Sequence, residues 1–473
     1  MRRGLGIVAL LVCSLGGALP AVRAASNPAT APLCVPRLTA PPVGLAVTST
    51  APVKNHPRVA DITFRSRALN GPVHANVLLP TGYDAPANAG RRYPVLYLLH
   101  GHGGNHTDWI SHDADKIVGD VPVIVVMPDG GYDGWYSDWY GTDVDGHVPA
   151  PAPGWEAFHI RELIPWVDAT YRTISDRRGR AIAGLSMGGF GAMSYAARHP
   201  DLFVAAGSFS GAVDIDFNYP LAGTITGTAA NLPDRKQPDN CVWGDAVTND
   251  IVWRDHNPTE LSRNLSPLSV YLTSGNGRLG GYDTNPGPTT LGAQGIEAGV
   301  WVMTDSFDKA LTAARVVHTF TRYGPGTHSW PYWVDDLRTW LPRMQAAFAH
   351  PPAAPPNVPF SFESAAAPFS VWGWTFTPHR DVAEMTYLRN VTSRGFDVSG
   401  SGLLSVVTAP LYRPGATYRV AGARSSVLTV AAGSDGRLRF DVDLGTAHAA
   451  QQYTFGPAAE QAFPHAAVVV AAS

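Results

Sequence analysis

The chain has 473 residues, of which 45% are hydrophobic and 15% charged. That length exceeds one ordinary domain, and that balance suits a packed protein and excludes a disordered one. A formal net charge of −3 gives no polybasic signal, so nucleic acid is not an expected partner.

In chain order, residues 1–25 read as a secretion signal. Arg2 and Arg3 form the basic region, Gly6 to Leu19 an apolar core too short to span a bilayer, and Val22 to Ala25 a small-residue cleavage site. The protein is therefore expected to be secreted, free or associated with the cell wall. Residues 26–57, rich in Ala, Pro and Thr, read as a leader. Cys13 leaves with the signal. Cys34 and Cys241 remain, an even number in an exported protein, and are expected to form a disulfide.

Residues 58–349 read as an α/β domain. Ile62–Ser66 and Val73–Leu79 are strand-like runs around the turn signal Asn70-Gly71-Pro72. Tyr93–Leu99, Val121–Met127, Arg180–Gly184 and Leu268–Thr273 are apolar runs suited to strands buried on both faces. Helical spacing lies between them, at Trp155–Tyr171 with a kink expected at Pro165, at Gly189–His199 and at Asp305–Ala314. Buried strands alternating with helices indicate a mostly parallel sheet. Residues 350–359, HPPAAPPNVP, have the composition of a semi-rigid linker. Residues 360–473 then switch to short strand-like runs separated by Gly, Pro, Asn and Asp, the pattern of an all-β sandwich. Trp372 and Trp374 in this domain are candidates for binding cell-wall carbohydrate.

The chemistry centres on Gly184-Leu185-Ser186-Met187-Gly188, between an expected strand and an expected helix. A serine on so tight a turn needs small residues two positions to either side, and the helix that follows points its amides at developing negative charge. Such a serine needs a base, and the base an orienting acid. In α/β-hydrolases the order along the chain is Ser, acid, His. His328 lies in a loop after the strand-like Val316–Tyr323 and before a helical pattern, where the base is expected. For the acid, Asp283, Glu297 and Asp305 all satisfy the order.

These segments resemble a known family. YPVLYLLHGHGG, WYSDWY, WEAFHIRELIPW, GLSMGGFGAM, YLTSGNGRLGG and GTHSWPYW occur in the order and spacing of the antigen 85-type mycolyltransferases, within the esterase D-like group of α/β-hydrolases. The resemblance covers roughly residues 60–348. It implies an α/β-hydrolase fold with a mostly parallel sheet, to which the C-terminal all-β sandwich-like domain is added. It also implies a secreted serine acyl-ester enzyme with no metal or organic cofactor. By its distances to Phe307 and His328 it favours Glu297 as the acid, with Asp283 as runner-up. The implied mechanism is two-step acyl transfer through an acyl-enzyme on Ser186. Asp138, Trp139 and Trp330 match family positions suited to an acceptor pocket.

The stretch LLHGHGGNH, Leu98–His106, lacks a closing metal ligand in sequence and the Gly-Lys-Ser/Thr ending of a phosphate loop. It is placed instead as the loop that builds the oxyanion hole, from the main-chain N–H groups of His102 and Met187. Where the family carries Asp-Gly-Leu-Arg, this chain has His100-Gly101-His102-Gly103, and Gly141–Gly154 lacks the family's paired cysteines. The leading expectation is thus a serine esterase or acyltransferase acting on ester substrates, lipid or glycan esters among them. Acyl transfer to trehalose or cell-wall sugars is the alternative. A non-catalytic cell-wall or matrix-binding protein is the alternative from another class.

Overall fold

The computed structural model describes residues 34–143, 150–216, 240–284 and 286–473. The signal sequence and most of the Gly211–Asn240 loop, which is expected to help shape an acyl pocket, lie outside them. Leu33–Ser473 form one compact unit.

Strand formation follows the apolar runs. The central sheet comprises β1 (Leu45–Pro52), β2 (Val59–Ser66), β3 (Gly71–Leu78), β4 (Val95–Leu99), β5 (Ile124–Pro128), β6 (Arg180–Leu185), β7 (Ala205–Phe209), β8 (Ser269–Gly275) and β9 (His318–Gly324). Its order is β9-β8-β7-β6-β4-β5-β3-β2-β1. From β9 to β5 every pairing is parallel, and from β5 to β1 every pairing is antiparallel. β4, β5, β6 and β7 are buried along their whole length, as strands covered on both faces must be. β1 arises inside the stretch expected as a loose leader. Its alternating Val47, Ser49 and Ala51 pair with β2 and close one edge of the sheet.

Two helices depart from expectation for identifiable reasons. Pro165 has no N–H to donate, and the turns before it widen into a π-helix over Ala157–Leu163, where Ile164 N–H reaches His159 O five residues back. The helix expected to start at Asp305 starts at Pro288 and runs to Ala313. Gly292, Gly295 and Gly299 obscure its apolar periodicity. Its inward face is nonetheless continuous through Glu297, Val300, Met303, Phe307 and Leu311. No helix among the described residues is long and apolar enough to cross a membrane.

The C-terminal region is a two-sheet antiparallel sandwich. One sheet orders Phe360–Ser364, Thr386–Thr392, Gly395–Ser399, His465–Ala472, Thr417–Ala421 and Leu428–Ala431. The other orders Phe369–Val371, Trp374–His379, Leu403–Val407 and Arg439–Asp443. Phe369–Phe376, which reads as one run, is a hairpin, turned at Trp372 and Gly373 with φ of 52° and 78°. Phe362, Phe376, Phe396, Val406, Val442 and Val468 fill the space between the sheets. Each such side chain contributes about 1.5–3 kcal/mol by leaving water.

The Pro-rich stretch joins two layers that also share a polar seam. Asn264 donates to Glu363 O and accepts from Glu363 N–H, both at 2.9 Å. Asp255 Oδ1 accepts from Ala365 N–H at 2.7 Å and Ser364 Oγ at 3.1 Å, while its Oδ2 holds Arg198 at 2.7 Å. Trp372 lies on this seam, its N–H donating to Asp201 at 3.0 Å and its ring 5.5 Å from the Arg177 guanidinium. Trp374 is only 2% exposed, inside the sandwich core. The expectation of a carbohydrate platform is therefore corrected for Trp374, whose indole is core, while Trp372 is half-buried at the seam. Cys34 and Cys241 form a disulfide, with Cα atoms 5.4 Å apart.

Candidate active site

Ser186 sits between β6 and α1 (Met187–Arg198), with φ 53° and ψ −121°. A non-glycine residue there carries about 1–3 kcal/mol of backbone strain, which its surroundings must over-determine. Ser186 N–H donates to Phe209 O at 3.0 Å, and Phe190 N–H donates to Ser186 O at 3.1 Å. The flanking glycines are required by close approach. A Cβ on Gly184 would lie 2.4 Å from Gly188 O, and one on Gly188 would lie 2.5 Å from His100 O.

His328 follows β9 by four residues and precedes α3 (Trp330–Ala349). Its Nε2 lies 2.8 Å from Ser186 Oγ and its Nδ1 2.8 Å from Glu297 Oε2. The carboxylate fixes the tautomer, with the proton on Nδ1 and a lone pair on Nε2 facing the serine. Glu297, on α2 (Pro288–Ala313), is fully buried. Its Oε1 accepts from Gly275 N–H at 2.6 Å, Ser210 Oγ at 2.8 Å, Ser274 Oγ at 3.1 Å and Tyr323 Oη at 3.3 Å. A carboxylate so satisfied stays in place. The neighbouring Asp336 carboxyl is pushed well above its ordinary pKa, chiefly by burial and further by the Glu297 charge.

Asp283, the runner-up acid, accepts from Gly280 N–H at 2.8 Å, Thr327 Oγ1 at 2.7 Å and Tyr332 Oη at 2.7 Å. It braces the loop that carries His328 from outside. Asp305 pairs with Lys309 and Arg322 on the surface.

The loop after β4 runs against the elbow, and a Cβ on Gly101 would lie 3.3 Å from Ser186 Cβ. Gly103 N–H donates to Tyr132 O at 2.6 Å, and the His102 ring meets the Tyr132 ring edge-on at 4.9 Å. Met187 is the first residue of α1, where main-chain N–H groups have no intrahelical acceptor. The His100 side chain organises this loop. Buried, with its pKa lowered chiefly by burial, it holds its Nδ1 2.7 Å from Gly101 O, and its Nε2 accepts from Gly130 N–H at 2.8 Å. Tyr136 Oη donates to His100 O at 2.9 Å. The His-Gly pair after an apolar run was the available signal.

The three expected acceptor-pocket residues separate. Trp139 is 3% exposed in the core, with its indole N–H on Gly134 O at 3.0 Å. Its expected place in the pocket is corrected, because that ring fills the core. Asp138 accepts from Ala157 N–H at 2.8 Å and anchors the π-helix. Trp330, half-buried at the start of α3, stacks on His112 at 3.7 Å and meets Trp109 and Trp333 edge-on. Of the three it alone adjoins His328 in the chain.

An α/β-hydrolase carries its nucleophile, acid and base on segments leaving the carboxyl ends of sheet strands, and Ser186, Glu297 and His328 follow β6, β8 and β9 here. The chain belongs to the Esterase family, described as "Putative esterase", whose model matches residues 66–344. Esterase Rv1288 of Mycobacterium tuberculosis is 32% identical over 58% of this chain and 56% of its own length. This chain thus spans little more than half of that relative. Diacylglycerol acyltransferase/mycolyltransferase Ag85B of Mycobacterium leprae is 33% identical, over 54% of this chain and 77% of its own. Among solved structures, Mycobacterium tuberculosis MPT51 is similar at 20% identity and a TM-score of 0.49, covering 59% of this chain and 95% of its own.

Proposed function

We propose that this protein is a secreted serine esterase or acyltransferase that cleaves carboxylic esters through Ser186, His328 and Glu297. The single observation that carries the reading is His328 within 2.8 Å of both Ser186 Oγ and Glu297 Oε2. Ser186 Oγ attacks the ester carbonyl as its proton passes to His328 Nε2. Glu297 holds Nδ1–H and stabilises the imidazolium. The main-chain N–H groups of His102 and Met187 receive the oxyanion. The tetrahedral intermediate collapses, His328 protonates the departing alkoxide, and the acyl group remains on Ser186. Water or an acceptor alcohol, deprotonated by His328, then releases it.

Family membership and the names of the relatives support both hydrolysis and transfer. The absence of the Asp-Gly-Leu-Arg loop favours an acceptor other than trehalose. A fluorophosphonate probe tests the reading. Wild type is expected to label stoichiometrically and to hydrolyse short aryl esters. Ser186→Ala is expected to lose labelling and at least about 10⁴-fold in turnover. No labelling of wild type would leave only a binding protein on a hydrolase fold, and equal labelling of the two would move the reactive serine away from Ser186. Adding sugars to the assay separates transfer, which yields sugar ester, from hydrolysis, which yields free acid alone.

A further inference from the structure

Four residues beyond His102, the same glycine-rich loop meets a group of side chains that ester cleavage does not use. His106 N–H donates to Asp129 Oδ1 at 2.9 Å, and the same oxygen lies 3.0 Å from His106 Nδ1. That contact sets the ring so that Nε2 faces the sheet, 3.4 Å from Asp61 Oδ1. Asp61 on β2 and His74 on β3 are diagonal neighbours across an antiparallel pair, since Asp61 stands opposite Asn76 and Thr63 opposite His74. His74 Nδ1 lies 3.9 Å from Asp61 Oδ1, and the donor atoms of Asp61, His74 and His106 all fall within 4.8 Å of one another. Among the described residues, Asp61 Oδ1 is a buried oxygen whose only near donor is His106 Nε2, at a long 3.4 Å.

We propose that Asp61, His74 and His106 bind a divalent transition-metal ion, zinc by preference, with water completing the shell. Two imidazoles and one carboxylate are a borderline donor set that suits zinc and its neighbours rather than calcium or magnesium. Tetrahedral ligands about 2.1 Å from zinc stand about 3.4 Å apart, close to the His106–Asp61 separation. The second observation is Asp129. A carboxylate on the far nitrogen of a ligating histidine orients the ring and raises its basicity. His74 and Asp61 are 39% and 38% exposed, which gives an ion its way in. The rings of His74 and His106 stack at 4.9 Å with 14° between planes. Binding therefore requires the His74 ring to turn about its Cβ–Cγ bond, exchanging its 3.3 Å contact with Thr63 Oγ1 for the metal. An ion here would tie the end of the oxyanion loop to β2 and β3.

The test uses the full chain, stripped with a chelator and titrated with Zn²⁺ by calorimetry and with Co²⁺ by visible absorption. One ion per chain is expected, with Co²⁺ bands that mark nitrogen and oxygen ligation. Asp61→Asn and His74→Ala, both at half-exposed positions, are each expected to weaken binding at least about tenfold, with far-UV circular dichroism unchanged to show that they fold. The proposal is overturned if wild type binds no stoichiometric metal, which would leave the group as a proton-bridged His–Asp cluster. It is overturned equally if both variants bind like wild type, which would put the ion elsewhere.

Discussion

The α/β layer and the sandwich each hold a serine, a histidine and a buried glutamate in hydrogen-bond contact. In the first, His328 stands in the middle, between Ser186 and Glu297 at 2.8 Å each. In the second, Glu384 stands in the middle, taking Ser401 Oγ at 3.0 Å and His448 Nδ1 at 2.6 Å on one oxygen. Ser401 thus donates to a carboxylate and accepts from His448 N–H at 3.1 Å. Its proton has an acceptor, but no imidazole stands ready to remove it, and it lacks the elbow that presents Ser186. The same three side-chain types set an imidazole on a serine in one connection and a carboxylate on a serine in the other.

That contrast can be broken most sharply at the acid. Glu297→Gln is expected to lower kcat/KM for an aryl ester by about 10²–10⁴, because the amide no longer stabilises the imidazolium. Asp283→Asn, which only braces the loop, is expected to cost about tenfold or less. The reverse ranking would move the acid to Asp283. Next in size is the seam. Asp255→Ala removes the partner of Arg198 and the acceptor for Ala365 and Ser364, and is expected to destabilise the protein by about 3–5 kcal/mol in denaturant melts. A variant as stable as wild type would mean that the two layers stand independently.

Asp138 tests the α/β layer by pH. Burial first, and the Glu156 charge second, raise its pKa from 3.8 to about 6. Between those values the folded protein holds a proton that the unfolded chain has lost, so stability falls as pH rises through this window and is level above it. Asp138→Asn is expected to lack that fall. At pH 7 it should be the more stable by on the order of 1–3 kcal/mol, with wild type converging on it below about pH 4. Parallel thermal-melt profiles for the two proteins would discard the assignment. The smallest effect is expected in the sandwich, where Ser401→Ala should cost about 1–3 kcal/mol of stability and leave kcat/KM unchanged.

Local patterns carried the turn at Ser186 and its surroundings. Gly-x-Ser-x-Gly between an apolar run and an Ala-rich helix depends on neighbours in sequence, so Ser186, Met187 and both glycines could be read directly. His328 followed from its place after a strand. Glu297 could be preferred only through family resemblance, because three acids satisfied the order. The long α2 was missed because glycines dilute its periodicity, and Trp139 looked like a pocket residue because sequence does not say which face of a turn is core.

The sequence by itself determined the α/β order, the tight turn at Ser186, the glycine-rich loop that packs against it and the switch to an all-β region, since each rests on periodicity or on residues a few positions apart. Tertiary structure alone decided that Glu297 meets His328, that Glu384 rather than His448 sits at the centre of its group, and that Trp372 belongs to a seam. It also brought Asp61, His74 and His106 together. Each of these depends on strands and loops far apart in the chain, and distance in space between such residues is set by sheet order and packing rather than by spacing along the sequence.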